Sequence, residues 1–344
     1  MEKEQLREKR DSAVSLELDM DEEDRIVLLV SRASGLFAVT QTKILRLRSP
    51  DDLDPDLQHA TAPWEQSVVL SLGAADPIVA RTIIQTIKLL ETVFAKTSDH
   101  FRLLSDISWE TMNSLVSLRF IKERLERQIN ETLETVSSDL ATYTEGQSPK
   151  PIPPVENYDI EFRAFVNEAK RCLDSISELF PVLSELKFDM SDGSYSQRFG
   201  RGHFHKAQAW VEKTRGKDSP LAQMLASDQR WVGTWIAMRI AIEHPTKDKN
   251  IETLNFALEA NRNIRLPTWR FRHPSFDMDR PQNLLEVFEI CIDNLLKFYE
   301  DLQLALLDGH LPPMMEILIE EIPVELRDAA LPMRYSFITT FEKP

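Results

Sequence analysis

The chain has 344 residues, of which 42% are hydrophobic, so it can build a full core and is long enough for two domains. Glycine is scarce at 9 residues and 28% of the residues are charged, which is typical of a mainly helical soluble protein. The net charge of −15 argues against general coating of nucleic acid. No run approaches the length of a membrane span, and the first residues, MEKEQLREKRD, are too charged for a signal peptide. We therefore expect a cytoplasmic protein that does not contact membranes.

The first part of the chain combines an acidic leader with a β-favouring stretch. Residues 1–24 are polar and acidic and predict a disordered or loosely helical leader. Apolar residues at 26–30 favour a strand, and residues 36–48 fit a hairpin, although a helix over 25–39 is also compatible with so short an apolar run. The Pro- and Asp-rich residues 50–63 predict a loop.

Two helices are predicted next. Asp76-Pro77 marks the start of one that runs to about Lys96, and apolar spacing predicts a longer one over 101–143. The longer pattern approaches a heptad near its end, which fits coiled-coil-like pairing within the chain or with a second copy, and equally ordinary packing in a bundle. Residues 25–144 are thus predicted to be a mainly helical N-terminal domain with a possible small β element.

A proline-rich segment at 145–156 is predicted to separate this domain from a second one. It holds four prolines in the six positions from Pro149, which disfavour both helix and central strand. After it, apolar periodicity predicts helices over 158–187, 203–214, 219–244 and 281–307, with a β-hairpin projecting between the last two. Residues 157–308 are therefore predicted to form an antiparallel four-helix bundle with an inserted hairpin. The tail, 309–344, is expected to be irregular or to form short helices.

The third helix of this predicted bundle carries the most informative residues. Ser219 as N-cap and Pro220 in the first turn predict its start. Arg239 falls on its apolar stripe, and a buried guanidinium needs an anion, a polar partner or a solvent-filled cleft. Pro245 disfavours a helical residue before it, so the helix is predicted to end near His244 and to let the imidazole turn back toward Arg239. An Arg and a His at a helix end predict a phosphate site.

The run from Arg239 to His244 resembles the R-x(4–6)-H signature of HEPN domains (higher eukaryotes and prokaryotes nucleotide-binding), and the resemblance covers about 157–308. It implies a metal-independent endoribonuclease of the toxin or phage-defence type, without a cofactor, that works as a homodimer and could have an antitoxin or another protein partner. In such an enzyme His244 would be acid or base in the attack by the RNA 2′-OH, and Arg239 would stabilise the crowded phosphate. The RNA cleft would be lined by the basic residues Arg198, Arg201, His203, His205 and Lys206.

A second interpretation stays open from the same residues. Glu243 lies four positions after Arg239 and could form an ion pair with it, and Ile240 stands where active members typically have a polar residue. The region would then be a non-catalytic HEPN-like module that binds a nucleotide, RNA or a protein. Trp235 could stack a base, but its place on an apolar face fits the core better. Both cysteines fit the core too, and no metal site is predicted.

Charge is distributed unevenly along the chain. Residues 198–272 carry 14 Lys and Arg against 7 Asp and Glu, whereas residues 1–156 carry 18 against 27. The candidate site thus lies in a basic segment of an acidic chain, where an anionic ligand would be attracted. A basic surface without any ligand is the alternative.

Overall fold

The computed structural model describes residues 18, 20, 22, 24–32, 34–59, 63–145, 149–184, 204–310 and 315–341. The chain divides into two compact units, Met1–Trp109 with Leu311–Pro344, and Glu110–His310. The proline-rich segment 145–156, predicted to be a linker, lies within the second unit.

A four-stranded antiparallel sheet organises the first unit. Its strands β1 (Ile26–Arg32), β2 (Gly35–Thr40), β3 (Ile44–Arg48) and β4 (Glu65–Leu70) pair in chain order. The hairpin predicted over 36–48 is confirmed as the pairing of β2 with β3, and the alternative helix over 25–39 is wrong. In the predicted loop, a short helix, α1 (Pro50–Leu53), begins at a Ser49 cap. The small β element of the sequence prediction is therefore a full sheet.

Both faces of this sheet are apolar. Ala38, Leu45 and Leu47 are buried on one face, where Leu18 and Met20 pack against them. On the other face the Phe37 ring lies 4.8 Å from the Trp109 ring. Alternation of side chains along a strand places neighbouring residues on opposite faces, so the apolar runs of the central strands β2 and β3 reflect burial on both sides.

The helices that follow start where the sequence predicts. Asp76 accepts hydrogen bonds from the backbone N–H groups of Ile78 and Val79, which caps α2 (Pro77–Val79). A buried π-helical turn (Ala80–Ile84) then leads into α3 (Gln85–Val93). The long helix α4 (Asp99–Ser138) contains the division between the units and is followed by α5 (Leu140–Thr144).

The part of α4 in the second unit packs within the chain. Leu118, Leu125 and Ile129 are buried at heptad-compatible spacing. Lys122 occupies the heptad position between Leu118 and Leu125, and its Nζ lies 2.6 Å from the Glu289 carboxylate. This ion pair joins α4 to the last helix of the same unit, and the choice between coiled-coil-like pairing and ordinary bundle packing stays a prediction.

The prediction of an irregular or short-helical tail is wrong. Strands β10 (Met315–Glu321) and β11 (Tyr335–Phe341) form an antiparallel hairpin in the first unit. Pro323 and Pro332 fall in the connection between the two strands, where they interrupt no ladder hydrogen bonds. That connection contains a single 3₁₀ turn, Val324–Leu326.

The second unit contains helices close to the predicted spans. They are α6 (Tyr158–Ser177), α7 (Leu179–Leu183), α8 (Phe204–Arg215), α9 (Pro220–Glu243) and α10 (Leu284–Leu307). Helix α9 contacts α6, α8 and α10, and α10 also contacts α6 and α7. Cys172 of α6 and Cys291 of α10 are buried as free thiols in this core.

The predicted antiparallel four-helix bundle is wrong, because a sheet forms part of this core. Strands β5 (Asn250–Leu254), β6 (Ala257–Leu258), β7 (Ile264–Arg265), β8 (Thr268–His273) and β9 (Phe276–Asn283) follow α9. Strands β5, β8 and β9 form a three-stranded antiparallel sheet, and β6 pairs with β7. Trp269 and Phe271 of β8 are fully buried, and the Trp269 ring lies 5.2 Å from that of Phe162 in α6. The predicted projecting hairpin is thus a packed layer of the fold.

Candidate functional site

Helix α9 begins as predicted. Ser219 is the N-cap, its hydroxyl accepts the Ala222 N–H, and Pro220 occupies the first turn. The helix then buries one face, where Trp235 is only 6% exposed and its ring lies 5.8 Å from Phe165. Trp235 therefore belongs to the core and presents no surface on which a base could stack.

A carboxylate lies halfway along α9 in a partly buried position. The Asp228 carboxylate accepts a 2.9 Å hydrogen bond from Nε1 of Trp231. Burial raises the pKa of Asp228, and the negative charge of Asp301 on α10 raises it further. This group is costly to ionise in the folded protein.

Arg239 is half-exposed, and the prediction that it is buried on the apolar stripe is wrong. Its side chain is 40% exposed and its Nη2 lies 2.7 Å from Oε1 of Glu243, which is 38% exposed. The long aliphatic stem lets the charged group reach water even where the Cα lies near an apolar face. The ion pair between Arg239 and Glu243, on which the second interpretation of the sequence depends, is therefore present, and the binding role itself stays a prediction.

His244 ends α9, as Pro245 predicts. It is the C-cap residue with φ −132° and ψ 64°, and its backbone N–H donates to the Ile240 carbonyl at 2.8 Å. The residue is exposed. Across the described part of the chain, no hydrogen bond links the His244 imidazole to Arg239. The two groups therefore lie at one end of α9, within reach of solvent, without a hydrogen bond between them.

The basic residues predicted to line an RNA cleft are mostly outside the described structure. Arg198, Arg201 and His203 lie outside the described residues, as does the side chain of His205. Lys206 is exposed in the first turn of α8. The RNA-binding role of these residues stays a prediction.

A groove near the end of α9 was not predicted from the sequence. It consists of two cavities that share Asp159. A small cavity of about 40 Å³ is lined by Asp159, Phe162, Arg163, Ala241, Ile242, Pro245 and Ile251. An open cleft of about 340 Å³ shares Asp159 with it and is lined also by Asn157, Tyr158, Ile160, Thr253 and Asn255. The Asp159 carboxylate accepts hydrogen bonds from Arg163 Nε at 2.7 Å and from the Thr253 hydroxyl at 3.2 Å. These residues come from distant segments, and no local motif marks them.

Two further structural findings bear on function. Within the described ranges, no three His, Cys, Asp or Glu side chains are grouped as metal ligands would be. No helix in those ranges combines the length and apolar character needed to cross a membrane.

Comparisons with protein-family models, with curated proteins and with solved structures returned no match to this chain.

Proposed function

We propose that the second unit binds RNA through its phosphate groups at the carboxyl end of α9, without cleaving it. The observation that carries the proposal is the half-exposed Arg239–Glu243 ion pair, which lies beside the exposed His244. A guanidinium at a surface keeps its charge at all relevant pH values and presents a planar pair of donors to phosphate oxygens.

The charge balance of the chain supports an anionic ligand at this place. Residues 198–272, which include α9, carry 14 basic against 7 acidic residues, in a chain with a net charge of −15. Long-range repulsion from the acidic remainder limits nonspecific attachment, so the ligand is held by local contacts in the basic segment.

The same ion pair favours binding over cleavage. Metal-free RNA cleavage needs an acid or base at the 2′-oxygen and uncompensated positive charge at the phosphate. Glu243 offsets the charge of Arg239 at 2.7 Å, and Ile240 provides no polar group beside it. Bound phosphate would share the guanidinium with Glu243, which fits a binding site better than a catalytic one.

The test compares two variants that change the ion pair in opposite directions. Binding of a fluorescent single-stranded RNA is measured by anisotropy at several salt concentrations for wild type, Arg239→Gln and Glu243→Gln. Arg239→Gln should weaken binding several-fold and reduce the salt slope by about one, because one phosphate contact is lost. Glu243→Gln should tighten binding, because it removes the carboxylate that competes with phosphate.

Lys297→Gln provides the matched control. Lys297 forms an intrahelical ion pair with Asp293 on α10 at 2.7 Å, and its side chain is 49% exposed. The substitution Lys297→Gln should leave the affinity for RNA unchanged. Equal affinity for RNA in wild type and both α9 variants would remove the proposal.

The exposure of His244 favours a second candidate, the endoribonuclease that the sequence resemblance implies. An imidazole is the side chain that most often serves as acid or base in such a reaction. Total RNA is incubated in EDTA with wild type, Arg239→Ala and His244→Ala. RNA decay that requires both residues would establish cleavage, and equal decay in all three preparations would exclude it.

A further inference from the structure

The turn between α9 and β5 is held rigidly by hydrogen bonds. Thr246 and Lys249 exchange backbone hydrogen bonds of 2.8 and 3.2 Å. Nδ2 of Asn250 donates to the carbonyls of Thr246, at 3.1 Å, and Lys247, at 3.0 Å. These four bonds fix the backbone from which the two lysines extend, so less entropy is lost when the lysines bind a ligand.

The same turn carries two lysines. Lys247 is exposed and Lys249 is half-buried. Neither forms an ion pair with another residue in the described ranges. Asp248 is the single acidic residue of the turn. The ammonium groups are therefore available to an external anion.

The sheet places an imidazole beside one of these lysines, Lys249. Asn250 of β5 pairs with Arg272 of β8, so Lys249 comes next to His273 at the end of the ladder. Nδ1 of His273 accepts the Ser275 N–H at 3.1 Å, which leaves Nε2 as the protonated nitrogen. Burial lowers the pKa of His273, and the charge of Lys249 lowers it further, in agreement with a neutral ring.

The His273 ring is held in place by aromatic neighbours. Its centroid lies 5.3 Å from that of Phe271 and 5.1 Å from that of Phe276. This packing fixes the ring, so that the Nε2–H donor has a defined direction.

Two arginines of this sheet are paired with carboxylates of the same sheet. Nε of Arg270 donates to the Glu252 carboxylate at 2.8 Å, and Nε of Arg272 lies 3.5 Å from the Asp279 carboxylate. No such carboxylate partner is found for Lys247 or Lys249 among the described side chains.

We infer that Lys247, Lys249 and His273 form a phosphate-binding site at the end of the β5–β8–β9 sheet, and that its ligand is the backbone of a single-stranded RNA. Two ammonium groups and one N–H donor suit the oxygens of a phosphodiester. The turn begins two residues after His244, so a bound strand would continue from the end of α9. The choice of RNA rests on the proposed function, whereas the phosphate site does not. The alternative is that the lysines only complement the negative end of the α9 dipole.

The test follows the His273 imidazole by NMR in the full-length protein, with its signals assigned by comparison with His273→Gln. Inorganic phosphate is titrated first, and a short single-stranded RNA second. Each should raise the pKa of His273, because a bound anion favours the charged ring. Lys249→Gln and Lys247→Gln should each weaken phosphate binding several-fold, whereas Lys213→Gln, which changes an exposed lysine of α8, should not.

The possible outcomes distinguish a failure of this phosphate site from a failure of the proposed RNA binding. Phosphate binding that depends on Lys249, without any binding of RNA, would support the site and reject RNA as its ligand. RNA binding that depends on Arg239 but leaves the His273 signals and both turn lysine variants unaffected would overturn this inference alone. No response of His273 to either ligand would also overturn it.

Discussion

Replacing Trp269 tests whether the three-stranded sheet is part of the core of the second unit. Trp269 is fully buried in β8 and its ring lies against Phe162 of α6. A projecting hairpin, which the sequence predicted, would place this side chain at a surface. Trp269→Ala should therefore lower the free energy of unfolding by about 3–5 kcal/mol, the usual cost of truncating a buried large aromatic residue.

A second substitution at this position, Trp269→Phe, separates the effect of the buried N–H group from that of the ring volume. Nε1 of Trp269 is buried and has no hydrogen-bond partner among the described residues. Leaving such a donor unsatisfied costs about 1–3 kcal/mol, and Trp269→Phe removes that cost while giving up part of the ring volume. The two effects oppose each other, so the free energy of unfolding of Trp269→Phe should be within about 1.5 kcal/mol of that of wild type.

Urea denaturation followed by far-UV circular dichroism provides the measurement, because it does not depend on the fluorescence of the residue removed. Leu266→Ala is the control, since Leu266 is 47% exposed and its truncation should change stability by less than about 0.5 kcal/mol. A loss below about 1 kcal/mol for Trp269→Ala would refute the packed-sheet description.

Three further substitutions test α9. Ser219→Ala should lower stability by about 1 kcal/mol, because an N-cap hydrogen bond is lost, as measured by urea denaturation. Arg239→Ala should lower the free energy of unfolding by no more than about 0.5 kcal/mol, because a half-exposed ion pair within a helix contributes little. A loss above about 2 kcal/mol would mean that the guanidinium has a structural role. The pKa of Asp228 is raised above its ordinary value of 3.8, so the folded state holds this proton more tightly and stability falls as pH rises through that window. Asp228→Asn, which can still accept the Trp231 N–H, should therefore be more stable than wild type at pH 7 and lose this advantage below about pH 4; an advantage that does not depend on pH would contradict the assignment.

The features that the sequence predicted correctly are determined by local chemistry. Asp76 and Ser219 are each followed by proline and each caps a helix, and these signals need no tertiary information. Pro245 ends α9 for an equally local reason. The β2–β3 hairpin joins neighbouring segments and was predicted from their β-favouring residues, with a helix over 25–39 left open as the alternative.

The features that were missed depend on contacts between distant segments. The last helix was predicted to start at residue 281, but Pro281 lies in β9, whose strand character comes from pairing with β8. Asp159 and Thr253 meet in the groove although 94 positions separate them. Periodicity located the Cα of Arg239 near an apolar face but does not determine where the end of a long flexible side chain lies.

The affinity of single-stranded RNA for Glu243→Gln, relative to wild type and to Arg239→Gln, tests the central claim most directly. If the carboxyl end of α9 binds phosphate through Arg239 and Glu243 competes for that charge, Glu243→Gln binds RNA more tightly than wild type and Arg239→Gln binds it more weakly. Unchanged affinity in both variants would show that RNA does not use this site.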